Sequence, residues 1–104
     1  MKDMQLDIKD VNEKKYIKLI GNLDGISSSD VTDKILKEIE GDNSIVIDMS
    51  DCPYVSSAGL RTLLTIGKSI KMKNGNMHII NLVEEVKEIM DMTGFGNIFK
   101  SFEV

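Results

Sequence analysis

The hydrophobic period of this chain switches repeatedly between two residues and about four, and that switching limits the folds open to it. Met4, Leu6 and Ile8 alternate with polar residues, and Lys15–Ile20 (KYIKLI) forms a second short run of strand type. Asn12, Glu13 and Lys14 read as the turn between them, and so short a connection cannot make a crossover, so this pair can only be antiparallel. Gly21 ends the second run, and the period then lengthens. Val31, Ile35 and Ile39 fall at i, i+4 and i+8 with Leu36 alongside, which predicts a helix over 28–40. Ser28 or Ser29 is placed to cap it, Asp30 and Asp33 suit the positive end of its dipole, and Gly41 is positioned as its stop.

The alternation continues to the end. Ser44–Met49 (SIVIDM) is a nearly continuous apolar run, the pattern of a strand covered on both faces. Leu60, Leu63, Leu64, Gly67 and Ile70 mark one side of a helix that starts near Ser57 and ends before Asn74–Gly75. Met77–Leu82 (MHIINL) reads as another buried strand, and Val83, Val86, Ile89 and Met90 give a third helix closed by Gly94. The tail IFKSFEV is expected to form a last short strand. The order β-β-α-β-α-β-α-β implies an α/β fold: one domain over residues 1–104, with a mixed, mostly parallel sheet and right-handed crossovers.

Composition removes several classes of function. Thirteen basic against seventeen acidic residues leave a formal charge of −4, which gives no footprint for nucleic acid. No apolar run approaches the roughly 20 residues of a membrane span. Five of the first ten residues are charged, unlike a secretory signal peptide. The single cysteine, Cys52, can form no internal disulfide, and no metal-binding His/Cys spacing exists, so neither a metal nor another cofactor is expected. These features predict a cytoplasmic domain, monomeric when free, with no nucleic-acid or membrane partner.

In open α/β sheets, function gathers where strands end and the following helices begin. Two segments fit: Gly21–Ser29 (GNLDGISSS) and Asp48–Leu60 (DMSDCPYVSSAGL). In the second, Ser56 and Ser57 immediately precede a helical pattern. Both can be plain caps, or one hydroxyl can be a phosphate acceptor at a helix N-terminus, with Ala58 and Gly59 small enough to admit another protein's backbone. A serine nucleophile would need a base, and the lone His78 lies mid-strand with no G-x-S-x-G elbow in the chain, so no catalytic residue is expected. GFGN at 94–97 follows a helix and is a stop signal, not a nucleotide loop. Arg61 is either a solvated charge or a group for a partner's carboxylate.

Three blocks in order resemble the STAS domain of anti-sigma-factor antagonists. They are GNLDGISSSDV at 21–31, IVIDMSDCPYVSSAGLRTLL at 45–64 and VKEIMDMTGFGNIF at 86–99. The resemblance implies a non-enzymatic switch. Unmodified, such a domain binds an ATP-binding anti-sigma factor serine kinase and frees a sigma factor; serine phosphorylation releases it, and a PP2C-type serine phosphatase resets it. By position the phosphorylated residue would be Ser57, with Ser56 as second choice. The partner-binding residues would be Asp24, Ser27, Asp48, Ser56, Ala58, Gly59, Leu60 and Arg61. The alternative is a STAS interaction module of a sensory, secretion-regulating or transport assembly that acts without phosphorylation.

Overall fold

A computed structural model describes residues 4–103. The elements run β1 (Gln5–Val11), β2 (Lys14–Ile20), α1 (Ser28–Glu38), β3 (Ser44–Asp51), α2 (Ser57–Met72), β4 (Asn76–Ile80), α3 (Glu84–Thr93) and α4 (Phe95–Lys100). They form a single α/β domain whose four strands lie in the order β1-β2-β3-β4. β1 and β2 pair antiparallel across a turn at Asn12 and Glu13, both with positive φ, while β2–β3 and β3–β4 are parallel.

One face of the sheet carries the core. Ile17 and Leu19 of β2, Ile45, Ile47 and Met49 of β3, and Met77 of β4 are fully buried, and they join Val31 and Ile35 of α1, Leu63, Ile66 and Ile70 of α2, and Val86 of α3 in one cluster. Residues of the other register tell a different story. Asp7 and Lys9 are exposed, and Lys18, Asp48, His78 and Ile80 are only half-buried. The strand at 44–49 is therefore covered on one face and open on the other, contrary to the expectation from its apolar run. Val46 explains the misleading pattern. It sits on the open face yet is buried, because its direct cross-strand neighbours are Tyr16 and His78.

The tail also differs from expectation. Residues 95–100 form a helix, not a strand, and the reason lies in spacing: Phe95, Phe99 and Phe102 recur at i, i+4 and i+7, a helical stripe. Gly94, with φ of 82°, turns the chain between α3 and α4 in a conformation that costs other residues strain. Phe99 and Phe102 are then buried, and one backbone bond of 2.7 Å from Met77 N–H to the Phe102 carbonyl ties the tail to β4.

Helix α1 ends without the glycine stop expected at Gly41. Its C-cap is Ile39, and the last carbonyls are taken by lysines from other elements. Lys73 Nζ donates to the Ile39 carbonyl at 2.6 Å and Lys15 Nζ to that of Glu38 at 3.1 Å. At the other end the cap residue is Ser27, preceding both serines expected there. Ser28 is buried inside the first turn and Ser29 is exposed on the helix.

Candidate functional site at the rim of the parallel strands

The parallel pairing of β2 and β3 continues beyond the strands, and this builds the site. Gly21 N–H donates to the Asp51 carbonyl, Leu23 N–H to that of Tyr54, and Ser56 N–H to that of Leu23, each at 3.0 Å. Leu23 and Val55 form an isolated parallel bridge, and both are buried. The loop that follows β2 and the loop that precedes α2 are thereby zipped into one rim.

Within the first loop, Asp24 and Ser27 hold each other. Asp24 Oδ1 accepts from the backbone N–H of Ile26 (3.0 Å) and of Ser27 (3.1 Å), while Ser27 Oγ accepts from Asp24 N–H at 3.1 Å and donates to the Asn22 carbonyl at 2.8 Å. Ser27 is therefore spent on fixing the loop. The backbone N–H of Ser27, ahead of that of Ile26, holds the Asp24 carboxyl below its ordinary range by stabilising the charged form.

The two serines before α2 divide the roles left open by the sequence. Ser56 is the N-cap: its backbone is extended, and its Oγ accepts from Gly59 N–H at 3.2 Å. Ser57, the first helical residue, is exposed, and its hydroxyl makes no hydrogen bond among the described residues. Ala58 is half-buried, whereas Gly59 and Leu60 are buried and Arg61 is exposed. Gly59 and Leu60 thus shape the rim from beneath and present little surface. A Cβ on Gly59 would collide with the Leu23 carbonyl oxygen and approach Leu23 Cγ and Val55 Cγ1 to 2.9 Å.

Asp48 stands apart from these loops, on the open face of the sheet. It accepts from Ser50 N–H at 2.9 Å and from Asn81 Nδ2 at 3.3 Å, with Lys18 as its partner on β2. Desolvation opposes its charge, but the hydrogen bonds from Ser50 and Asn81 and the nearby Lys18 outweigh it and hold the carboxyl low. Lys18 also bridges to Asp51 at 3.2 Å.

Two contributors escape sequence reading. Thr32 and Thr62 sit where α1 meets α2, their hydroxyls 2.8 Å apart, and both bond the Ser28 carbonyl, at 2.7 and 3.2 Å. Thr62 is buried, so this shared acceptor locks the two helix starts together beneath the rim. Asn81 is the other, with φ of 60°. A helical stripe with one threonine, or an asparagine after a strand, carries no signal of either role.

The depressed carboxyls make a pH prediction. Because the folded pKa of Asp24 lies below the ordinary 3.8, its bonds contribute stability above that value, lost as pH falls through the folded pKa. Carboxyl-carbon NMR titration is expected to place the midpoints of Asp24 and Asp48 below 3.8. Asp24→Asn is expected to flatten the acid limb of the stability curve, and a midpoint at or above 3.8 for Asp24 would contradict the loop geometry.

The arrangement is similar to known proteins. The STAS domain family model matches residues 5–104. BtrV of Bordetella bronchiseptica, described as an anti-sigma factor antagonist, is 30% identical over 86 residues, 78% of this chain and 74% of that protein. The crystal structure of a protein from Thermotoga maritima, also described as an anti-sigma factor antagonist, superposes with a TM-score of 0.84 at 21% identity. It covers 89% of this chain and 81% of that one. The Bacillus cell fate determinant SpoIIAA in its phosphorylated form has a TM-score of 0.70 at 17% identity, covering 97% of this chain and 88% of its own.

Proposed function

This chain belongs to the STAS domain family, and from that membership we propose that it is an anti-sigma factor antagonist that switches partners by phosphorylation of Ser57. The supporting observation is the division of labour at the start of α2. Ser56 caps the helix, so the exposed Ser57 hydroxyl is free to react without loss of structure. The Bacillus neighbour described in a phosphorylated form is consistent with that chemistry on this fold.

The unmodified domain docks on an ATP-binding anti-sigma serine kinase and thereby releases a sigma factor. Ser57 Oγ then attacks the γ-phosphorus of ATP; the Oγ–P bond forms, the bond to the β-phosphate oxygen breaks, and ADP leaves. The hydroxyl proton passes to a base on the kinase. A PP2C-type phosphatase reverses the state by delivering water to phosphorus and expelling the serine oxygen. The domain itself supplies no catalysis, and its working compartment is the cytoplasm. Phosphate at this position gains the free N–H groups and positive dipole end of α2, so the modified fold is as stable as the unmodified one.

The test is phosphorylation of the purified chain by each anti-sigma-type serine kinase of its source genome, read by intact mass and peptide mapping. One phosphate on Ser57 is expected, absent from Ser57→Ala. Ser56→Ala should still accept it, after losing about 1 kcal/mol of helix capping. Modification at Ser56, or at no serine with any of these kinases, overturns the proposal; the latter result favours a module that works without phosphorylation.

A further inference from the structure

Two large apolar side chains on the rim serve no core purpose. Ile26 is 75% exposed and Tyr54 is 48% exposed, although both loops already supply buried apolar residues, namely Leu23, Cys52 and Val55. We infer that Ile26 and Tyr54 are the apolar anchors by which the kinase grips this domain, so that they set affinity while Ser57 sets its sign. This rests on the reading of Ser57 as the phosphate acceptor.

The occupant follows from position. A stable protein complex covers roughly 800 Å² on each partner, about an eighth of this chain's 6176 Å². A patch of that size centred on Ser57 takes in both zipped loops, because Tyr54 lies three residues before it and Leu23, three residues before Ile26, is bonded to both Tyr54 and Ser56. A protein seated over Ser57 Oγ therefore meets the loops that carry these side chains.

Their backbones are also held in advance. The Tyr54 carbonyl accepts from Leu23 N–H at 3.0 Å and faces Cys52 Sγ at 3.5 Å, with Pro53 between them. Ile26 N–H is bonded to Asp24 Oδ1. Anchors on an ordered backbone lose little entropy on binding, and buried aromatic and large apolar groups dominate interface energies. The partner that fits is a kinase surface with an apolar recess beside its phosphate-transfer site.

The experiment compares wild type, Ile26→Ser, Tyr54→Ser and the double variant against the kinase that modifies Ser57, by calorimetric titration and by steady-state phosphorylation. Each single variant is expected to weaken binding about tenfold or more and to raise KM with kcat unchanged. Met72→Ser and Met92→Ser serve as controls. Both methionines are 86% exposed, and Met72 ends the helix that Ser57 begins, so both controls should bind as wild type. Thermal melts of these exposed-site variants separate lost docking from lost folding. Binding by the double variant within about twofold of wild type overturns the anchors, as does a fall in kcat at constant KM. If wild type is bound and phosphorylated in either case, the switch reading survives. If no serine kinase of the source genome binds or modifies wild type, both fail.

Discussion

Ser57→Asp is expected to bind the proposed kinase at least tenfold more weakly than wild type, while Ser57→Ala is expected to bind at least as tightly and no longer respond to ATP. The two halves of this expectation have separate physical sources. Aspartate at the first position of α2 adds a negative charge where the helix dipole favours one, a gain of about 0.3–1 kcal/mol, so the variant should melt no lower than wild type. Binding moves the other way. A partner surface shaped around a neutral hydroxyl must strip water from a carboxylate it cannot pair, and an uncompensated charge in an interface costs on the order of 3–5 kcal/mol when fully buried. A loss of only tenfold needs about 1.4 kcal/mol, well within that penalty even at a partly wetted rim. A phosphate, with about −1.5 to −2 charges, should exceed the aspartate effect. Calorimetry of the three forms with the kinase, paired with melts, reads both halves. Equal affinities for the alanine and aspartate forms would remove the switch, and a lower melting point for the aspartate form would attribute any binding loss to folding.

The separation of stability from binding was partly legible in the sequence. Ser56 and Ser57 stand before a strong apolar stripe, so a helix start was readable there, as was its place after a strand of the sheet. Which serine caps was not, since that depends on the direction of one side chain toward Gly59 N–H. The order of the first seven elements followed from period alone. The eighth is a helix and not the expected strand, because a short apolar tail matches a strand pattern even where its phenylalanines carry helical spacing. The open sheet face failed for a deeper reason. Hydrophobic runs report how much of a strand avoids water, and Val46 does so through its lateral neighbours Tyr16 and His78, not through a covering helix. Asp48 lies at the end of the central strand, as its position in the resembled motif implies, but which face it presents and its bonds to Ser50 and Asn81 were not readable from spacing.

The zipping of the two loops leaves no room for a side chain at Gly59. Gly59→Ala is expected to lower stability by about 3 kcal/mol, at the upper end of overpacking costs, because the obstacle is backbone and cannot rotate away. The added methyl meets the Leu23 carbonyl oxygen, the same atom that accepts from Ser56 N–H, along with Leu23 Cγ and Val55 Cγ1 at 2.9 Å. Relief requires the first loop to back off from α2, which breaks that bond and strains the Leu23–Val55 bridge. For a domain of about 100 residues, 3 kcal/mol corresponds to a fall in Tm of roughly 12–24 °C. Hydrogen exchange supplies the local signature: the amides of Leu23 and Ser56 should lose protection ahead of those in β3, whose pairing with β4 does not pass through the rim. Gly67→Ala is the informative contrast. Its Cβ would meet the buried ring of Phe102 and approach Met77 Cε to 3.0 Å, so it too should destabilise, but at the tail and β4, and the rim amides should keep their protection. A Gly59→Ala protein that melts within about 2 °C of wild type, an energy of at most roughly 0.5 kcal/mol by the same scaling, would mean that the two loops are not held together as the backbone bonds require.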